Sequence, residues 1–205
     1  MANKHHWEHV YETKPTTEVS WYRTHLDQSL ALIRETSVAL SGQIIDVGGG
    51  ASTLVDDLLD AGYQHVSVLD ISGKALNEAK RRLGPRAAAV DWIEADITQA
   101  KLPHHHYDVW HDRAVFHFLT DPQDRQRYVE QVRHAVKPNG HVIVASFGPQ
   151  GPLKCSGLDI VRYRPDELHG QFGGEFQLLK SVQEEHQTPG GALQQFVYCY
   201  CRKRE

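Results

Sequence analysis

Between residues 43 and 147 the chain keeps switching between two hydrophobic periods, and few folds satisfy that pattern. "QIIDVGGG" (43–50), "HVSVLDIS" (65–72), "AAAVDWIEADI" (87–97), "YDVWHD" (107–112) and "HVIVASFG" (141–148) are short apolar runs of strand character. Between them lie stretches of helical spacing. "STLVDDLLDAG" has Ser52 or Thr53 as its cap and Gly62 as its stop, and "GKALNEAKRRLG" ends at Gly84-Pro85. "DPQDRQRYVEQVRHAV" opens with Asp121 as cap and Pro122 in the first turn, and "KPNG" reads as a turn after it. Strands alternating with helices predict a parallel sheet wound on both faces. The end of the chain differs, because "EFQLLKSVQEEHQ", "TPGG" and "ALQQFVYCYCRK" read as an antiparallel hairpin added at a sheet edge. At the start, "TEVSWYRTHLDQSLALIRETSVAL" places Leu26, Leu30, Ile33 and Val38 near helical spacing, with Glu18 and Ser20 able to begin the turn.

In sheets of this kind, ligands sit outside the carboxyl ends of the strands, where the order reverses. The first strand ends in Asp46-Val47-Gly48-Gly49-Gly50-Ala51-Ser52, so the backbone can bend sharply and approach a ligand with no Cβ in the way. Asp70 closes the second strand, placed to accept hydrogen bonds from both hydroxyls of a ribose. The two features at this spacing point to a nucleoside-type ligand. A nicotinamide dinucleotide fits less well, since its G-x-G-x-x-G fingerprint ends here on Thr53. Both acids could instead be plain strand-end caps.

"IIDVGGGAS", "VSVLDIS", "WIEADI", "YDVWHDRAVFHFL" and "VKPNGHVIVASF" resemble, in order, the motifs of class I S-adenosylmethionine (SAM)-dependent methyltransferases. "EVSWY" and the acid-bearing fourth strand are similar to the branch containing small protein-lysine methyltransferases. The resemblance implies an α/β fold: a doubly wound seven-stranded sheet, mostly parallel with an antiparallel C-terminal hairpin, and helices on both faces. It implies one domain over residues 1–205, made of an N-terminal lid or helix (1–40), a SAM-binding core (41–148) and a substrate loop with the hairpin (149–205). SAM is the implied cofactor and S-adenosylhomocysteine its product. Asp46 would orient the loop and approach the amino-acid end of SAM. Gly48, Gly49 and Gly50 would line it, with Ser52 and Thr53 following. Asp70 would take the ribose hydroxyls and Ile71 flank the adenine, with Asp96, Ala95 and Ile97 by its amino group. Ser52 departs from the family's third glycine, although a serine can still cap the helix. Trp21 and Tyr22 would fold over SAM as a lid, the alternative being aromatic packing of the first helix. Arg23 could meet the SAM carboxylate.

Methyl transfer is an in-line displacement, so alignment and exclusion of water matter most. An amine acceptor must be neutral and would profit from a nearby base, whereas a thiol or metalloid ionises more easily. At the tip of the fourth strand, Asp112 would accept from or orient the nucleophile and Arg113 would hold Asp112 or a substrate anion. His111 would contact SAM, and Phe116 and His117 would form a wall beneath the substrate. The competing reading makes Asp112–Arg113 an internal ion pair. Cys155, Arg162 and Tyr163, in the loop after the fifth strand, are expected substrate contacts.

The spacing of His111 and His117 matches no common zinc pattern, so no metal is expected. "HHH" (104–106) reads as an exposed loop. Cys199 and Cys201 share a strand face, as packed apolar residues or, with Cys155, as a soft-metal site. A net charge of −4 over 205 residues disfavours nucleic acid. With no apolar run of about 18 residues and a polar start, no membrane span or signal peptide is expected. The expectation is a cytoplasmic monomer or homodimer acting on a small-molecule thiol, metalloid, carboxylate or amine. A protein lysine as substrate and a non-catalytic SAM-fold binding protein are the alternatives.

Overall fold

The computed structural model describes residues 4–205. Its centre is a seven-stranded sheet in the order β3-β2-β1-β4-β5-β9-β8. The five strands β1 (Gln43–Val47), β2 (His65–Asp70), β3 (Val90–Glu94), β4 (Tyr107–Arg113) and β5 (Val136–Phe147) run parallel. β9 (Leu193–Lys203) pairs antiparallel with β5, and β8 (Phe176–Gln187) pairs antiparallel with β9 at the sheet edge. A two-stranded ribbon, β6 (Lys154–Cys155) and β7 (Leu158–Asp159), lies in the loop after β5.

Side chains alternate across the sheet, as the two-residue period requires. On one face Ile44, Val109, Ile143 and Tyr198 pack with α2 (Asp27–Glu35), α3 (Leu54–Asp60) and α4 (Gly73–Leu83) through Ile33, Leu58 and Leu76. On the other, Ile45, Trp110, Val142 and Cys199 pack with α5 (Pro122–Ala135) and α6 (Pro165–Gly170) through Tyr128, Val132 and Leu168. Burial on both sides explains why the central strands read as unbroken apolar runs. The helix ends follow their caps. Ser72 Oγ accepts from Ala75 N at the start of α4, and Asp121 accepts from Gln123 N at the start of α5.

One helix was not singled out in the sequence, and two expectations differ from the structure. Residues 4–13, in the polar opening of the chain, form helix α1 (Lys4–Thr13). Trp7, Val10 and Tyr11 have the spacing of one helical face. The helix expected from Thr17 starts only at Asp27. Its first half is an irregular strap whose carbonyls are taken by other elements: His186 Nε2 meets Ser20 O at 2.7 Å, Arg113 Nη1 donates to Trp21 O, and Thr53 Oγ1 donates to Arg23 O. Tertiary partners outcompete the helix there. Lastly, "KPNG" does not separate helix from strand. β5 already begins at Val136, and the bend is absorbed at Asn139, where φ is +63° and the pairing with β4 slips.

Candidate functional site

The carboxyl ends of β1, β2 and β4 open onto two cavities that share Tyr11, Trp21, Gly48 and Arg113. The first is lined by Asp70, Ile71, Ala95 and Ile97 together with Trp7, Val115, Phe118 and Cys155. The second runs under the strap and is lined by Asp46, Gly49, Ser52, Thr53, His111, Tyr22 and Arg23.

The glycine loop is held by close approach. Gly48 has φ +69°, and a Cβ there would sit 1.9 Å from Val115 Cγ2. A Cβ on Gly50, at φ +37°, would sit 2.6 Å from an oxygen of Asp70. Neither position tolerates a side chain. Asp70 Oδ1 accepts from Ser72 N at 2.8 Å, and burial pushes its carboxyl up to about 7, reinforced by repulsion from Asp46 and Glu8.

Beneath the second cavity runs a buried polar chain. Asp46 Oδ1 lies 2.7 Å from His111 Nδ1, and because a carboxylate only accepts, that nitrogen donates. His111 Nε2 lies 2.9 Å from Ser29 Oγ, and Ser29 Oγ lies 3.4 Å from the Tyr198 hydroxyl. Tyr198 O–H donates to Glu184 Oε2 at 2.9 Å. Glu184 also pairs with Arg23, and Arg113 Nη2 lies 3.7 Å from it. The Arg113 guanidinium stacks over Phe196 at 4.1 Å, and its Nε donates to Tyr198 at 3.1 Å.

Thus the structure gathers Asp46, Gly48, Gly49, Ser52, Thr53, Asp70, Ile71, Ala95, Ile97, His111, Arg113, Trp21, Tyr22 and Cys155 around the two cavities. The other expected residues lie elsewhere. Gly50 backs Asp70, and Asp96 accepts from Thr98 N and Oγ1 in its own turn. Asp112 faces the α5 side of the sheet. It accepts from Val115 N, Phe116 N and the Tyr128 hydroxyl, so it pairs with neither an acceptor nor Arg113. Burial pushes its carboxyl up to about 7, although those donors act against the shift. Phe116 is core, between Tyr128 and Phe172. His117 stacks on Phe147, and neither ring nitrogen has a hydrogen-bond partner; burial lowers its pKa to about 3. Arg162 donates to the Pro149 and Gly151 carbonyls, while Tyr163 packs against Phe116 in the core.

Sequence reasoning missed Trp7 and Tyr11, the i, i+4 pair of α1, and Phe118, which takes the place expected for Phe116. Trp7 meets Trp21 at 5.9 Å and Phe118 at 5.0 Å, both edge to face, and Tyr11 meets Trp21 at 6.4 Å. Among the described residues no cluster of three or more His, Cys, Asp or Glu side chains is arranged to hold a metal. Nor is any helix long and apolar enough to cross a membrane.

Residues 44–140 match the family model described as "Methyltransferase domain". The chain is 26% identical over 155 residues to the eEF1A lysine and N-terminal methyltransferase of Mus musculus. That match covers 73% of this chain and 22% of the relative, so the chain spans less than a quarter of that relative's length. It is 27% identical over 108 residues to the ubiquinone/menaquinone biosynthesis C-methyltransferase UbiE of Roseobacter denitrificans, covering 51% of this chain and 42% of the relative. Among solved structures, the N-methyltransferase NodS from Bradyrhizobium japonicum in complex with S-adenosyl-L-homocysteine superposes with a TM-score of 0.75. It shares 15% identity and covers 100% of both chains, so the likeness is one of fold.

Proposed function

We propose that the chain, whose residues 44–140 match a methyltransferase-domain model and whose fold is that of a SAM-dependent methyltransferase, methylates a small acceptor by direct in-line displacement. The observation that carries this reading is the meeting of the two cavities at Tyr11, Trp21, Gly48 and Arg113. SAM, when bound, supplies a methyl group on a sulfonium. Gly48 and Asp46 are fit to receive its amino-acid end because the loop carries no Cβ there and His111 fixes the orientation of the Asp46 carboxylate. Asp70 is fit for the ribose, being a buried carboxylate on the cavity wall whose backbone donors come from its own turn, at Ile71 and Ser72. Ile71, Ala95 and Ile97 give the flat apolar slot that an adenine needs.

The acceptor enters the rest of the first cavity, where Trp7, Trp21 and Phe118 exclude water. That part lies under α1 and the strap, which favours a small acceptor over a polypeptide. A protein-lysine acceptor is the second reading, and it rests on the 26% identity to the murine eEF1A methyltransferase. All three cysteines are free and buried, which suits a reducing, cytoplasmic setting. A monomer or homodimer serving such a pocket completes the proposal.

Calorimetric titration with S-adenosylhomocysteine tests the cofactor site; Gly48→Ala is expected to weaken binding at least tenfold. Labelled methyl transfer from SAM into cell extract, separated by size, tests the reaction. Label in the small-molecule fraction is expected. Label in protein supports the lysine reading, and label in neither sinks the enzymatic one.

A further inference from the structure

Among the described residues, Arg113 is the one cation lining the first cavity, and the cavity's one carboxylate, Asp70, is the group assigned above to the ribose. Five polar groups come near the cavity, from five elements. Arg113, on β4, lines both cavities with its side chain 4% exposed. Tyr11, on α1, keeps its proton, since burial and the charge of Asp70 raise its pKa. Cys155, on β6, is a neutral thiol with its pKa pushed up to about 11 by burial. Asp70, on β2, lines the cavity, and Asp46, on β1, is committed to His111. The two groups that sequence reasoning placed here as base or wall are absent from the cavity. Asp112 accepts three hydrogen bonds on the far side of the sheet, and His117 is stacked under Phe147. Charge balance points the same way. Arg23 and Arg113 share the single carboxylate of Glu184, and Arg113 Nη2 is buried without a hydrogen bond. An ammonium acceptor would meet an arginine there, and once the ribose occupies Asp70 it would find no carboxylate in the lining to take its proton.

Building on the methyltransferase reading, we propose that the acceptor is a small apolar acid, a thiol or a carboxylic acid, bound as its anion with Arg113 as the group that receives it. The lone pair of the anion forms the new S–C or O–C bond as the methyl–sulfonium bond breaks. The electrons of that bond stay on the sulfur of S-adenosylhomocysteine, and no proton moves. The step joins an anion to a cation and leaves two neutral centres, so a cavity walled by Trp7, Trp21 and Phe118 favours it over water. A thiolate or carboxylate that ionises in solution needs no base from the protein.

Thiophenol, benzoate and benzylamine have one ring size and differ in charge, and they serve as probes. Titrated at pH 8 into the full chain loaded with S-adenosylhomocysteine, at least one of the two anions is expected to bind at least tenfold more tightly than the amine. Arg113→Gln is expected to weaken that anion at least tenfold and by a larger factor than it weakens S-adenosylhomocysteine, while Arg113→Lys restores part of the anion affinity. With SAM in place, label is expected on the bound anion. Preference for benzylamine, binding of neither anion, or an unchanged Arg113→Gln variant overturns the assignment. Because S-adenosylhomocysteine binding is read first and separately, its loss in the unmutated chain strikes the methyltransferase reading instead.

Discussion

Asp112 illustrates how little a residue's type says about its job until its partners are known. The fourth strand ends in His111-Asp112-Arg113, and alternation sends neighbouring side chains to opposite faces. His111 and Arg113 reach the cavities, so Asp112 cannot. Its carboxylate instead takes two backbone N–H groups and the Tyr128 hydroxyl, fixing the turn that carries Val115 and Phe118 into the cavity. Asp112→Ala leaves three donors without their acceptor, two of them buried, and is expected to cost about 3 kcal/mol in denaturant unfolding, with the remaining folded protein still binding S-adenosylhomocysteine. Period-2 alternation was available in the sequence; which face the ligand would use was not. Asp70 makes a pH prediction. Its folded pKa lies near 7, above the unfolded value of about 3.9. The stability it contributes is fully present below the unfolded value and is lost as pH rises to about 7. The cofactor-free protein is therefore expected to melt lower at pH 8 than at pH 5. Ribose hydroxyls donate to the ionised carboxylate, so SAM should bind about tenfold more tightly at pH 8 than at pH 6. Equal affinities at the two pH values would rule out this role for Asp70.

At the level of elements, α1 and the strap carry what the sequence concealed. The central strands and their helices could be read from periodicity because burial on each face imposes it. α1 is short and mostly polar, and it lacks an acidic first turn, so only Trp7, Val10 and Tyr11 marked it. The strap is held by side chains of β4, β8 and the loop before α3, contacts that no local pattern encodes. α1 is fastened to α4 and β3 by exposed ion pairs, Lys74–Glu12 and Lys4–Glu94, which contribute little. Its attachment then depends on Trp7 against Trp21 and Phe118, at about 0.5–1.5 kcal/mol per aromatic pair. Trp7→Ala is expected to shift the melting temperature by no more than a few degrees while speeding cofactor release five- to tenfold in stopped-flow fluorescence. A large loss of stability with unchanged release would place Trp7 in the core rather than over the site.

Across the whole molecule, the hairpin of β8 and β9 does more than close the sheet. Glu184 of β8 and Tyr198 of β9 hold Arg113 and Arg23 beside the cavities, so the C-terminal hairpin sets the charge there. Lys203, at the far end of β9, is buried and donates to the carbonyls of Arg133 and Val136 at the carboxyl end of α5. A cation there complements the helix dipole as well as the bare carbonyls. Lys203→Met is expected to cost about 2 kcal/mol in chemical unfolding, and an undiminished midpoint would contradict that.

The order of the strands also has a consequence in time. β8 leaves the ribosome before β9, yet its sheet neighbour is β9 and it has no pairing with β5. During synthesis β8 is therefore a twelve-residue segment with no sheet partner, carrying Leu178 and Leu179 in the open, until the strand that should separate it from the core has emerged. A nascent chain stalled in that interval presents two bare sheet edges at once, that of β5 and that of β8, and is the species most exposed to pairing with a stranger.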